Sequence, residues 1–360
     1  AGYTDAQGGQ AQLDVAPLFD SVESLEHAGD TITRLLQNRV YREHLASRGN
    51  RQVVMIGYSN SNKDSGIVAS RWLLRRAQEA MSVACVAAGV RLQIFHGRGG
   101  SISRGGSRTE AIVRALPAGV AGTRLRVVEQ GESINDRYGL APIALRTFEQ
   151  GLSTLSLMAA GYYGTERLES RWLEAMDLFA RVSQERYRAV VVDDPRFMEF
   201  FLHATPVDVI ERMQIGSRPV AYVGGAGVAG MRAVPWLFAW SQSRHMLPGW
   251  FGAGAGLAAV QAKFGAPFLS EMYGRWPFFE GLLDDVEMRM ARADLGIAAQ
   301  YEELVPPMLQ RLAGVVREEF GRATEQVLAI KGCARLLDSE PTLQRLIRLR
   351  NPYEIGRAHV

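Results

Sequence analysis

Val53-Val54-Met55-Ile56-Gly57-Tyr58-Ser59-Asn60-Ser61-Asn62-Lys63-Asp64-Ser65-Gly66 decides the fold, because a short β-branched run passes into a polar turn and then a helical pattern. That is the signature of a βα unit. Apolar strand candidates end near Phe19, Tyr58, Phe95 and Val128, at intervals of roughly 35 to 40 residues with helical patterns between them. The rhythm implies a parallel sheet or barrel. Helical spacing of apolar residues predicts helices over 31–45 and 67–88. In each unit the polar candidates fall just after the strand: Asp20, Asn60, then His96 with Arg98. Barrel enzymes keep their chemistry on that C-terminal rim. After about Leu140 the strand rhythm stops, and long helices are predicted over 166–188, 231–246, 283–303 and 308–330. A glycine-rich loop at 224–230 interrupts them between Arg218 and Arg232.

Phe95-His96-Gly97-Arg98-Gly99-Gly100-Ser101-Ile102-Ser103-Arg104-Gly105-Gly106 carries the chemistry. It reads as two arginines and an exposed histidine in a glycine-rich loop, a cradle for phosphate or carboxylate. Glycines let a backbone approach a ligand and adopt positive φ, their amides can face an anion, and each guanidinium offers a planar fork. The segment is not a Walker loop, because the Gly-Lys-Ser/Thr ending is absent. An RNA-contacting Arg-Gly tract would be long, polar and disordered, whereas this one follows the apolar Leu92-Gln93-Ile94-Phe95. A merely structural turn is the remaining alternative. Lysine usage supplies a second clue: of 41 basic residues only Lys63, Lys263 and Lys331 are lysines. Lys63, embedded in a turn, reads as a position needing a compact ammonium; Lys263 and Lys331 read as survivors on a solvated surface.

At 360 residues and 47% hydrophobic content the chain can bury a large core in one or two domains. A net charge of +3 gives no argument for nucleic-acid binding. Cys85 and Cys333, both in apolar helical contexts, suggest reduced core thiols and a cytoplasmic location. The apolar run around 251–260 is broken by glycines and too short for a membrane span, so no membrane partner is expected.

The two motifs together resemble phosphoenolpyruvate carboxylase. That family's lysine signature reads Gly-Tyr-Ser-Asp-Ser, one variable residue, then Lys-Asp; its second landmark is His-Gly-Arg-Gly-Gly-Ser. Leu125 to Glu132, Met231 to Pro248, Ala291-Arg292-Ala293-Asp294 and Leu349-Arg350-Asn351-Pro352-Tyr353 also resemble family segments, in the expected order. The resemblance implies the C-terminal part of a TIM-type (β/α) barrel embedded in a mostly α-helical protein. Residues 1–140 would be the βα units of a partial barrel and 141–353 a helical region with a second substrate loop. The chain starts at Ala1 inside the family pattern and is expected to be a fragment, inactive alone, lacking the N-terminal half with its Thr-Ala-His-Pro-Thr histidine. Residues 354–360 are expected to be a non-native, adapter-derived tail.

The resemblance implies conversion of phosphoenolpyruvate and bicarbonate to oxaloacetate and phosphate, with Mg2+ or Mn2+ as cofactor and a homotetramer at full length. Lys63, His96, Arg98 and Arg104 would be catalytic, and Arg218 and Arg232 would bind the substrate phosphate. Arg232, at a helix start, could instead pair within the core. Asp20 and Asn60 occupy the metal positions, where the family has Glu and Asp, so the metal site is expected to be weakened unless Asp64 or substrate supplies charge. Arg292 and Arg350 would join Arg104 in binding an acidic effector. Ala221-Tyr222-Val223 replaces a Lys-Arg-Arg cluster, Ser103 a glycine and Ala229 a glutamate. These departures leave an alternative, a catalytically silent relative keeping an anion-binding or oligomeric role.

Overall fold

A computed structural model describes residues 13–117, 119–120, 125–129, 131–162, 168–212 and 227–355. Four parallel strands, β1 (Leu18–Phe19), β2 (Arg51–Gly57), β3 (Arg91–Arg98) and β4 (Arg126–Glu129), form one sheet in sequential order. The register pairs Met55 with Leu18 and Phe95, and Phe95 in turn with Arg126. Parallel neighbours need a crossover, and the long helix Ile67–Ala87 supplies the one between β2 and β3. The protein is therefore mixed α/β and mostly helical, with a small parallel sheet, as the 35-to-40-residue rhythm required.

Among the described residues, those up to Tyr58 and from Arg71 to Tyr162 form one compact unit; Ser59–Ser70 and those from Leu168 onward form another. The first is cored by Val54, Ile56, Leu74, Met81, Cys85 and Ile94. The helix Ala28–Gln37 adds Ala28, Ile32 and Leu36, spaced four apart on one face. One helix over 31–45 was expected, but the chain breaks at Asn38, whose extended backbone lets its Oδ1 accept the Tyr41 amide at 3.1 Å and start a second helix, Arg39–Ser47.

In the second unit the apolar run near 251–260 is the buried helix Ala253–Phe264, packed between Ser170–Tyr187 and Gln310–Lys331. Its glycines mark contact points. A Cβ at Gly254 would lie 2.6 Å from the Ala323 nitrogen, and one at Gly256 would lie 2.2 Å from Ser183 Oγ. In the same unit Phe197, Phe200, Phe201, Trp236 and Trp240 make a contiguous aromatic block. The helices expected over 231–246 and 283–303 are shorter than predicted. The first ends at Gln242, with Arg244 and Met246 in left-handed backbone; the second breaks after Arg292, and Asp294 caps Leu295–Glu302 through the Gly296 and Ile297 amides. Among the described residues no helix is long and apolar enough to cross a membrane.

Two readings of single residues need correction. Lys331 is not on a solvated surface: its side chain is 2% exposed, with Nζ 2.5 Å from Glu287 and 2.6 Å from Asp284. Cys333 lies beyond the C-terminus of Gln310–Lys331 and is half-buried, because Gly332 turns the chain out of the helix at φ 64°. Cys85 is fully buried as expected, and burial pushes its thiol up to about 11.

Candidate active site

His96 is a strand residue, not an exposed loop residue. Pairing of β3 continues past His96 on both sides, with β2 through Gly97 and with β4 through Arg98, which carries the histidine into the sheet and leaves it 1% exposed. Arg98 and Arg104 are buried as well. The loop's charged groups are thus interior ones, where a guanidinium acts with little screening by water.

The loop folds on itself. The Gly99 amide donates to the Arg104 carbonyl at 2.8 Å, and the Gly105 and Gly106 amides donate to Ile102 and Ser101 at 2.9 and 2.8 Å. These three amides close the loop on itself, which leaves the arginine side chains as the groups that could meet an anion. Gly105 sits at φ 89°, left-handed backbone that disfavours any side chain. A Cβ there would come within 2.8 Å of the Tyr58 ring.

Tyr58 is the residue that sequence reading missed. Its hydroxyl lies 2.9 Å from His96 Nδ1 and 2.9 Å from Arg98 Nη2, while Arg98 Nη1 donates to the Gly105 carbonyl at 3.0 Å. The guanidinium carbons of Arg98 and Arg71 stand 4.8 and 5.1 Å from the ring centroid, and Arg71 Nη2 donates to the Ile102 carbonyl at 2.7 Å. The available signal was a hydroxyl one residue beyond β2 in Gly57-Tyr58-Ser59, which a search confined to charged groups passes over. Burial, reinforced by Arg98, pushes His96 well below its ordinary range, so it is neutral near pH 7. A cavity of about 620 Å³ opens beside the cradle, lined by Arg98, Gly99, Gly105, Gly106 and Ser133, among others.

Lys63 lies in a short helix, Ser59–Ser65, where a turn was expected. Its buried Nζ donates to Asp64 Oδ1 at 2.5 Å and to the Val228 carbonyl at 3.1 Å, and its own carbonyl accepts the Tyr187 hydroxyl at 2.8 Å. Asp64 therefore already answers the lysine's charge. Arg232 is exposed at the start of Ala233–Gln242 and does not enter the core. Arg218 and Ala221-Tyr222-Val223 lie outside the described residues.

Asp20 and Asn60, the residues expected to hold the metal, each offer an oxygen donor, which suits a hard divalent ion. Asp20 is half-buried against β2, where a Cβ at Gly57 would sit 2.5 Å from its own Cβ. Gly57 thereby makes room for the carboxylate. Asn60 is half-buried in the first turn of Ser59–Ser65. Among the described residues no three His, Cys, Asp or Glu side chains cluster as metal ligands. Magnesium keeps several waters and needs only one or two carboxylates, so the donor set fits it with one charge fewer than two carboxylates would give.

Arg292 is half-buried near the end of Pro277–Arg292, and Arg350 is exposed on Pro341–Ile355. One turn before Arg292, Arg289 is buried with Nη1 3.5 Å from Met246 Sδ; burial and then Arg292 push it down to about 9.

A family model for phosphoenolpyruvate carboxylase matches residues 1–355. The chain belongs to the phosphoenolpyruvate carboxylase family. It is 46% identical over 353 residues to the phosphoenolpyruvate carboxylase of Xanthomonas oryzae pv. oryzae (strain MAFF 311018), covering 98% of this chain and 39% of that protein. It is 38% identical to that of Roseiflexus castenholzii (strain DSM 13941 / HLO8), over 95% of this chain and 38% of that protein. Phosphoenolpyruvate carboxylase 4 of Arabidopsis thaliana is 39% identical over 95% of this chain and 33% of its own length. The chain thus spans about two fifths or less of the length of these three relatives.

Proposed function

We propose that this chain is the C-terminal part of an active phosphoenolpyruvate carboxylase, and that Lys63, His96, Arg98 and Arg104 do its chemistry. The buried Tyr58–His96–Arg98 cluster inside the closed glycine loop carries the reading. Buried guanidinium groups act on an anion with little screening by water, and the reaction supplies anions at every stage. A bicarbonate oxygen attacks the phosphorus of phosphoenolpyruvate as the bond to the enol oxygen breaks, giving carboxyphosphate and the enolate of pyruvate. Carboxyphosphate then splits into phosphate and carbon dioxide, whose carbon accepts the enolate C3 electrons to form oxaloacetate.

In this reading Lys63 orients bicarbonate and the phosphoryl group in transfer, and Arg98 with His96 holds carboxyphosphate and carbon dioxide away from water. Arg104 brings the loop over them, while Arg218 and Arg232 bind the substrate phosphate. Such preset cations stabilise charge as it develops, without reorganisation. Asp20 and Asn60 would hold a Mg2+ or Mn2+ ion, which would supply Lewis-acid stabilisation of developing negative charge. The four parallel strands form part of a TIM-type barrel completed by chain beyond this segment, the later helices carry the second substrate loop, and the full-length protein is a cytoplasmic homotetramer. Arg292 and Arg350, with Arg104, bind aspartate or malate as inhibitors.

One observation favours a second reading: Asn60 gives the metal a neutral carbonyl, as a catalytically silent relative would. The full-length protein is assayed for oxaloacetate formation coupled to malate dehydrogenase and NADH. Turnover that requires bicarbonate and divalent metal is expected. No turnover under any metal, unrestored by Asn60→Asp, refutes the carboxylase reading in favour of the silent one.

A further inference from the structure

Tyr58 lies between two buried nitrogen groups that differ in what they can accept. A guanidinium has donors only, so Arg98 Nη2 donates to the Tyr58 oxygen across 2.9 Å. The phenol keeps its own proton. At 2.9 Å on its other side stands an imidazole nitrogen, which can accept that proton's hydrogen bond if it carries none itself. We infer that Tyr58 donates to His96 Nδ1 and so fixes neutral His96 as the tautomer with its proton on Nε2, making His96 a hydrogen-bond donor to its ligand.

Charge and geometry support the assignment independently. An imidazolium would place a second cation beside Arg98 inside the protein, with both groups nine-tenths buried or more. The phenol is itself held in place. The Arg71 and Arg98 guanidinium groups stand against its ring, and the left-handed corner at Gly105 leaves no room for a side chain between loop and ring. A hydroxyl fixed this way sets the orientation of its partners, as outer groups do for metal-bound histidines. Tyr58 is thus a positioning residue that acts through His96 and Arg98.

The inference deepens the carboxylase reading of the same cradle. As an Nε2–H donor, His96 gives a hydrogen bond to an oxygen of carboxyphosphate or carbon dioxide, and it is not the base that removes a proton from bicarbonate. A donor of this kind favours an oxyanion over a neutral carbonyl, which is what a decomposing carboxyphosphate requires.

The test is nitrogen NMR of the 360-residue chain labelled with 15N-histidine at pH 7.5, with His96→Gln used to assign the signal among six histidines. The expected spectrum has an unprotonated, hydrogen-bonded Nδ1 and a protonated Nε2 at His96. A proton on Nδ1, or on both nitrogens, overturns the inference without any variant. Tyr58→Phe keeps the ring and removes the hydroxyl, so His96 Nδ1 is expected to lose its hydrogen-bonded shift and the tautomers to mix. An unchanged His96 spectrum in that variant also overturns it. In the full-length protein Tyr58→Phe is expected to lower kcat/KM for bicarbonate about tenfold, the effect of one lost charge-assisted contact. If the full-length protein shows no turnover while the NMR tautomer is as expected, the carboxylase reading fails and the tautomer assignment stands.

Discussion

Lys331→Met removes the ammonium that links Asp284 and Glu287, and the two acids are left in different situations. The Asp284 side chain is 39% exposed and keeps the Tyr273 hydroxyl at 2.8 Å, so water takes over much of the lost interaction. Glu287 is 1% exposed and, among the described residues, keeps only the Leu337 amide, at 2.7 Å. Stranding one partner of a buried pair costs about 3–5 kcal/mol. The remaining amide and the extra apolar packing of methionine set the expected loss at the lower end, about 3 kcal/mol. Lys263→Met is the control: that lysine and its partner Glu174 are both more than half exposed, so its loss should be under about 1 kcal/mol. Adding Glu287→Gln to Lys331→Met removes the stranded charge and should return stability to within about 1 kcal/mol of the parent.

The sign with pH follows from the lysine's environment. Burial pushes the ammonium down, but its bonds to Asp284 and Glu287 outweigh this and hold it above its ordinary value. A raised lysine contributes fully below its unfolded pKa of about 10.4, and the contribution is lost only as pH rises through the higher folded value. The lysine should therefore leave the gap between parent and variant constant near pH 8 to 9, while at lower pH protonation of the stranded Glu287 should narrow it. Urea unfolding followed by tryptophan fluorescence reads the right region, since Trp172, Trp236, Trp240, Trp250 and Trp276 all lie in the unit containing Lys331. A Lys331→Met loss no greater than that of Lys263→Met, or a double variant no better than the single, refutes the reasoning.

Asn60→Asp in the full-length protein should restore a negative ligand and lower the half-saturating Mg2+ concentration by about tenfold or more, measured by metal titration of turnover. Gly105→Ala forces a side chain into left-handed backbone and against Tyr58, for a cost of about 2 kcal/mol; hydrogen exchange of the 99–106 amides should quicken, and unchanged protection would contradict the account. His96 is depressed in the folded state, so below about pH 6.5 the unfolded chain binds a proton that the folded chain refuses, and stability falls as pH falls. Relative to His96→Gln the parent should lose up to about 1.4 kcal/mol per pH unit in that range, and parallel curves from pH 7 to 5 would show that His96 protonates freely.

What the sequence made legible was periodic or covalently local. The βα rhythm located four parallel strands because alternation of apolar runs and helical patterns is a one-dimensional signal, and the glycine loop announced its arginines through composition. The breaks at Asn38 and Asp294 escaped because each depends on a side chain capping a helix that begins beside it, a choice that apolar spacing alone does not record. His96 read as a loop residue because its burial depends on strands on both sides continuing past Phe95. Tyr58 and Lys331 were misjudged for a related reason. Their partners lie 38 to 47 residues away in sequence, and only folding brings them within 3 Å.

The contrast between the two thiols provides a practical handle. Cys85 is sealed in the first unit's core, where deprotonation near neutral pH is suppressed, whereas Cys333 is half-buried just past a helix end. Thiolate and access together govern alkylation, so native chains should take one maleimide quickly, at Cys333. Incorporation of a second label then becomes a clock for opening of the β2–β3 crossover, separating breathing of that unit from events in the helical one without any engineered cysteine.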